Sequence, residues 1–171
     1  MITKNDLLNW LKEIDSKLKN KLILMAIGGT AMTLLDLKES TIDIDFDISK
    51  ENYDEFKNLV LQSKKFRVDI FTKGYIFSEQ LPNDYIDFAS NYNFKFKNII
   101  LKILNPIDII LTKSARYNAR DEEDIAILVK KIKIDESKLK ERFQIIFKSY
   151  AGFETAFKDN FDFILKKHFR K

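Results

Sequence analysis

Three aspartates alternate with apolar residues in the stretch Ile42-Asp43-Ile44-Asp45-Phe46-Asp47-Ile48. On an extended strand, Ile42, Ile44, Phe46 and Ile48 share one face and Asp43, Asp45 and Asp47 the other. A half-buried strand accounts for the alternation, and a charged face on an edge strand also discourages aggregation. Yet Asp is a poor strand former, so three in register need a further reason. A metal site supplies one. Carboxylates at i and i+2 project to the same side with Cα atoms about 6.6–7 Å apart. Such a pair can flank two Mg²⁺ ions about 3.5–4 Å apart, the arrangement used for in-line phosphoryl or nucleotidyl transfer. The chain has no cysteine and one histidine, His168. A metal here is therefore bound by oxygen, which means Mg²⁺ or Mn²⁺ rather than Zn²⁺.

The neighbouring sequence must position these carboxylates. Residues 22–27 form an apolar run ending in Gly28-Gly29, as a buried strand meeting a tight turn would. Residues 30–37 then read as a short helix. A glycine turn entering a helix brings backbone N–H groups close to a phosphate, and the helix dipole favours negative charge there. Upstream, residues 3–19 predict a helix with a capping box (Thr3, Asp6), an apolar face (Leu7, Leu8, Leu11, Ile14, Leu18) and Trp10 in the core. Downstream, residues 50–64 predict a helix capped by Ser49, and residues 66–72 a strand carrying Asp69. Tyr75, Phe77, Tyr85, Phe88 and Tyr92 are spread through loop and short helix. Residues 93–104 predict two short strands or one hairpin, and Asn105-Pro106 opens a helix. On it Lys113, Arg116, Arg120 and Asp124 form one polar stripe if the helix continues. It breaks instead if Asp121 caps a new helix after Asn118. Residues 135–171 carry two apolar helical stripes separated at Ala151-Gly152, with solvated Lys/Arg faces at 130–142 and 166–171.

Gly28-Gly29-Thr30-Ala31, followed by Lys38-Glu39-Ser40-Thr41-Ile42-Asp43-Ile44-Asp45, resembles the DNA polymerase β-like nucleotidyltransferase superfamily, and within it the AbiEii-like branch of minimal nucleotidyltransferases. The segment Thr112-Lys113-Ser114-Ala115-Arg116-Tyr117-Asn118-Ala119-Arg120-Asp121-Glu122-Glu123-Asp124-Ile125 is similar to that branch's later motif. The resemblance implies that Asp43 and Asp45 ligate the metal and that a third carboxylate on an adjacent strand completes the site. Asp69 is favoured for that place over Asp47, which lies a further ~6.6 Å along its own strand. Gly28, Gly29, Thr30, Ser40 and Thr41 would surround the nucleotide. Lys113 would contact its phosphate, with Asp121 or Asp124 orienting it and Arg116 and Arg120 beside it. The implied activity moves a nucleoside monophosphate from an NTP to an acceptor hydroxyl. The acceptor would be RNA such as tRNA, or protein, because relatives in the branch include toxins of toxin–antitoxin systems. The alternatives are a catalytically inactive nucleotidyltransferase-fold module that binds nucleotide, RNA or protein, and an antitoxin-type partner. For the charged helix, solvated i,i+3 and i,i+4 ion pairs are the plain alternative; for Asp69 it is pairing with Arg67 or a lysine.

The 171 residues, 45% of them hydrophobic, are enough for a real core. The net charge of +4 permits a nucleic-acid partner without requiring one. No apolar stretch is long enough to span a membrane and no signal peptide is evident, so the expected location is cytoplasmic. The expected fold is α+β: a nucleotidyltransferase-type mixed sheet flanked by helices over residues 1–134, with C-terminal helices over 135–171 packed on it.

Overall fold

A computed structural model describes residues 1–76 and 79–169; Phe77, Ser78, Arg170 and Lys171 lie outside them. In chain order the elements are β1 (Ile2–Thr3), α1 (Lys4–Asp15), β2 (Leu22–Ala26), α2 (Gly28–Leu34), β3 (Ser40–Thr41), β4 (Ile44–Ile48), α3 (Tyr53–Ser63), β5 (Val68–Thr72), β6 (Tyr75–Ile76), β7 (Glu79–Gln80), α4 (Tyr85–Phe88), β8 (Ser90–Asn91), β9 (Ile99–Ile103), α5 (Pro106–Arg116), α6 (Ala119–Lys131), α7 (Glu136–Phe147) and α8 (Glu154–His168). They form two units, Met1–Lys73 with Ile86–Leu104, and Gly74–Tyr85 with Asn105–Lys171. The class is α+β, with a mixed sheet, flanking helices and a C-terminal helical segment.

In the first unit the strands run in the order β5-β4-β2-β9-β8. β4 is parallel to β5 and antiparallel to β2, and β2 is parallel to β9. The central strands bury both faces: Leu24, Met25, Ala26, Ile44, Phe46 and Ile48 are enclosed. α1 starts with the expected capping box, the Asp6 N–H donating to Thr3 Oγ1 and the Thr3 N–H to Asp6. Trp10 is fully buried and donates to Ser63 Oγ of α3 at 3.2 Å. The last residue of α1, Asp15, turns inward. Its carboxylate accepts the backbone N–H groups of Lys97, Asn98 and Ile99 at 2.8, 2.7 and 2.8 Å. That anchor explains a difference from expectation. Residues 93–98 form no strand, and only Ile99–Ile103 pairs, antiparallel to Ser90–Asn91. α3 also starts late, after a 3₁₀ turn at Lys50–Asn52, and Ser49 does not cap it.

In the second unit β6 and β7 make a short antiparallel pair, and α5 packs against α6, α7 and α8. Those contacts group α5 and α6, which were expected with the sheet, with the C-terminal helices. The two apolar stripes of α7 and α8 meet at Phe143, which stacks on Phe161 (centroids 3.9 Å apart) and meets Phe157 edge-on. Arg142 lies in the same apolar face. It donates to both Asp108 oxygens at 2.8 and 2.9 Å and to Asp84 at 2.6 Å. His168, expected at the surface, is half-buried with Nε2 enclosed, and burial pushes its imidazole below the ordinary range. Among the described residues no helix is long and apolar enough to cross a membrane.

Candidate active site

The glycine turn and the carboxylate strand are built against each other. β2 ends at Ala26, Ile27 turns the chain in an extended conformation, and α2 begins at Gly28, whose φ of 53° favours glycine. A Cβ on Gly28 would lie 3.0 Å from Asp45 Oδ2, so the absent side chain makes room for that carboxylate. A Cβ on Gly29 would lie 2.7 Å from Thr41 Oγ1. Ile27 N–H donates to the Asp45 carbonyl at 3.2 Å, and Asp45 N–H donates to Thr30 Oγ1 at 2.9 Å. Across the sheet, Asp69 of β5 is the register partner of Asp45. Parallel neighbours place their Cα atoms about 4.8 Å apart.

The strand is shorter than its alternation predicts. β4 begins at Ile44; Ile42 and Asp43 lie in a bend, with Ile42 59% exposed. The cause is β1: Ser40 and Thr41 pair with Thr3 and Ile2, which pulls the chain out of line with β4 before Asp43. Asp43 and Ser40 are half-buried and Thr41 is buried. Asp47 is 2% exposed, between Met25 and Phe71 in register. The Asp69 side chain is 41% exposed and accepts from Arg67 Nη2 at 3.2 Å.

The second constellation is a buried ion cluster in the helical unit. α5 stops at Tyr117, a left-handed residue (φ 35°), and the polar stripe does not run on as one helix. Asn118, rather than Asp121, caps α6: its side chain accepts from the N–H groups of Arg120 and Asp121, and Asp121 returns a bond to Asn118 N–H. Lys113, 3% exposed, places Nζ 2.7 Å from Asp124 and 3.2 Å from Asp121. Arg116 grips Asp121 with two bonds, at 2.8 and 2.9 Å. Burial pushes the Asp121 carboxyl up, but Arg116 and Lys113 outweigh it and hold the group below the ordinary carboxylate range. Lys113 and Arg116 thus both bind Asp121, and Lys113 also binds Asp124. Arg120 is exposed.

A family model described as a nucleotidyltransferase of unknown function (DUF6036) matches residues 5–163. The chain belongs to this nucleotidyltransferase family. No curated protein and no solved structure matches it. The family assignment supports nucleotidyl transfer as the general chemistry and does not reach the AbiEii-like branch. Cations suited to that chemistry need hard oxygen donors, and in this nucleotidyltransferase-family chain the half-buried Asp43 and Asp45 and the part-exposed Asp69 are donors of that kind. Among the described residues, however, no group of three or more such side chains is gathered closely enough to hold a metal ion. Asp69 is also held in an ion pair. Its partner Arg67 is 75% exposed, and exposed pairs of this sort are worth about 0–1 kcal/mol.

Asp15 and Arg142 were not singled out from the sequence, nor was Asp108, the buried partner of Arg142. Asp15 sits four residues after Leu11 and next to Ile14, and Arg142 sits between Leu139 and Ile146 at helical spacing. A charge inside an apolar stripe was the signal in both cases.

Proposed function

We propose that this protein transfers a nucleoside monophosphate from an NTP to an acceptor hydroxyl, with Mg²⁺ or Mn²⁺ as cofactor. The observation that carries the reading is the glycine turn closing on the Asp45 carboxylate, with Asp69 beside Asp45 on the next strand. Asp43 and Asp45 would hold the cation and Asp69 would complete the site. When bound, the cation supplies charge neutralisation along the triphosphate. The backbone N–H groups of Gly28, Gly29 and Thr30 would take the phosphates, with Ser40 and Thr41 framing the turn. Asp69 would accept the acceptor's proton as its oxygen attacks the α-phosphorus; the α–β phosphoanhydride bond breaks and pyrophosphate leaves. Lys113 is engaged by Asp121 and Asp124. Arg116 is likewise engaged, by two bonds to Asp121, so a nucleotide role for that segment, Arg120 included, is carried by the family resemblance alone. A tRNA or protein acceptor, and a toxin-like role with an antitoxin partner, are carried by the family resemblance alone.

A second reading is a nucleotidyltransferase-fold binding module without turnover. The pairing of Asp69 with Arg67, and the absence of a gathered three-carboxylate group among the described residues, favour it. The test is label transfer from each α-labelled NTP, with Mg²⁺ or Mn²⁺ and total tRNA, beside the Asp43→Ala/Asp45→Ala variant. Label on RNA or protein that the variant loses establishes the transferase. Metal-dependent NTP binding without transfer favours the module.

A further inference from the structure

Thr30 follows the glycine pair, where the resemblance makes it a phosphate ligand, but its side chain is 0% exposed. Its hydroxyl oxygen faces inward and accepts the Asp45 N–H at 2.9 Å. The place of this bond in the sheet explains it. The antiparallel β2–β4 ladder runs Leu24↔Ile48, Met25↔Asp47, Ala26↔Phe46 and ends there, because β2 gives way to the turn. Asp45 is the next residue out, and both its backbone groups still point toward the vanished strand. Ile27 N–H satisfies its carbonyl, and Thr30 Oγ1, one helical turn on, satisfies its N–H. The Asp45 carboxylate is confined from a third side by the bare Cα of Gly28.

We infer that Thr30 is a positioning residue: its buried hydroxyl replaces the missing strand partner of Asp45, fixing that backbone and so aiming the carboxylate at a divalent cation, without touching the nucleotide. The inference rests on the nucleotidyl-transfer reading. It gives the Thr30 side chain a role at the cation site, apart from the phosphate role that the proposed function gives the backbone of residues 28–30. Threonine suits the second job because its methyl fills the buried space while its oxygen accepts.

The test uses Thr30→Val, which keeps the shape and removes the acceptor, with Thr30→Ser as rescue and Thr30→Ala should valine distort the turn. The readouts are Mn²⁺ binding by electron paramagnetic resonance, with and without ATP, GTP, CTP or UTP; hydrogen exchange at the Asp45 amide; and NTP binding in EDTA. Thr30→Val and Thr30→Ala should speed exchange at Asp45, leave the rest of β4 protected, and weaken Mn²⁺ about 10–100-fold, as loss of an outer-shell partner does. NTP binding in EDTA should not change, and Thr30→Ser should resemble wild type. Wild-type Mn²⁺ affinity in both Thr30→Val and Thr30→Ala would overturn the inference, as would loss of metal-free NTP binding. Asp45→Ala separates the two levels. If it binds Mn²⁺ as wild type does, or if wild type binds none, the nucleotidyl-transfer reading fails and this inference with it.

Discussion

Replacing Gly29 with alanine asks whether the glycine pair is set by packing against the carboxylate segment or merely by the turn. At an ordinary helical position Gly→Ala stabilises by about 0.5–1 kcal/mol, because glycine loses more backbone freedom on folding. Gly29 lies in α2 and has no positive φ, so backbone geometry alone predicts that gain. The packing predicts the opposite sign. The new Cβ would sit 2.7 Å from Thr41 Oγ1 and 3.6 Å from Thr41 Cβ. The second distance is an ordinary contact; the first is an overlap. Thr41 is buried and pinned opposite Ile2, so its short side chain has little room to yield. Overpacking of this kind costs about 1–3 kcal/mol, which leaves a net loss of roughly 0–2.5 kcal/mol after the helical gain.

The double variant Gly29→Ala/Thr41→Ala removes the offending oxygen and leaves the 3.6 Å contact. The cycle should therefore show a favourable coupling of about 1–3 kcal/mol, measured by urea unfolding with unchanged m-values. Gly28→Ala should not be rescued by any change at Thr41. Its φ of 53° carries a separate penalty of about 1–2 kcal/mol, and its neighbour is the Asp45 carboxylate. If Gly29→Ala is stabilised by the full helical increment, or the cycle shows no coupling, the packing argument is wrong.

Asp15→Ala strips one carboxylate from three backbone donors, and bonds to charged groups are worth about 1.5–3 kcal/mol each. Since they are not additive, urea unfolding should show a loss of at least about 3 kcal/mol; less than about 1 would mean water replaces the carboxylate. Arg67→Ala should cost under about 1 kcal/mol of stability, because the pair it breaks is exposed. It should raise Mn²⁺ affinity in a calorimetric titration if Asp69 is a ligand, whereas no change would return the third-carboxylate role to Asp47. Asp121 is held below its ordinary value of 3.8. The stabilisation it contributes is therefore present above about pH 4 and lost as pH falls through the folded-state value. Asp121→Asn should flatten that acid limb in a series of melting curves, and an unchanged limb would assign the acid sensitivity elsewhere.

What the sequence disclosed about this site follows from the range of the interactions. The glycine turn and the capping box at Thr3 depend on neighbours a few residues away, and they are where the pattern puts them; the helix expected over residues 30–37 forms over Gly28–Leu34. The alternation from Ile42 to Ile48 is equally local, but its strand begins only at Ile44. What overrides it is Ile2, far back in the chain, which claims Thr41 for another pairing. The choice at Asn118 was open because Asn-x-x-Asp fits a capping box whether or not a helix precedes it. Tyr117 settles it by adopting a left-handed backbone that a continuous helix cannot contain. Charged residues are the hardest case. Arg142 resembles any solvated arginine until Asp108 and Asp84, 34 and 58 residues away, arrive beside it. Lys113 likewise reads as a phosphate ligand until Asp121 and Asp124 close around it. A buried cation needs a partner anion, and one-dimensional spacing cannot say whether that anion comes from the chain or from a substrate. For Lys113 the chain supplies it. Arg116, with two bonds to Asp121, is supplied by the chain in the same way.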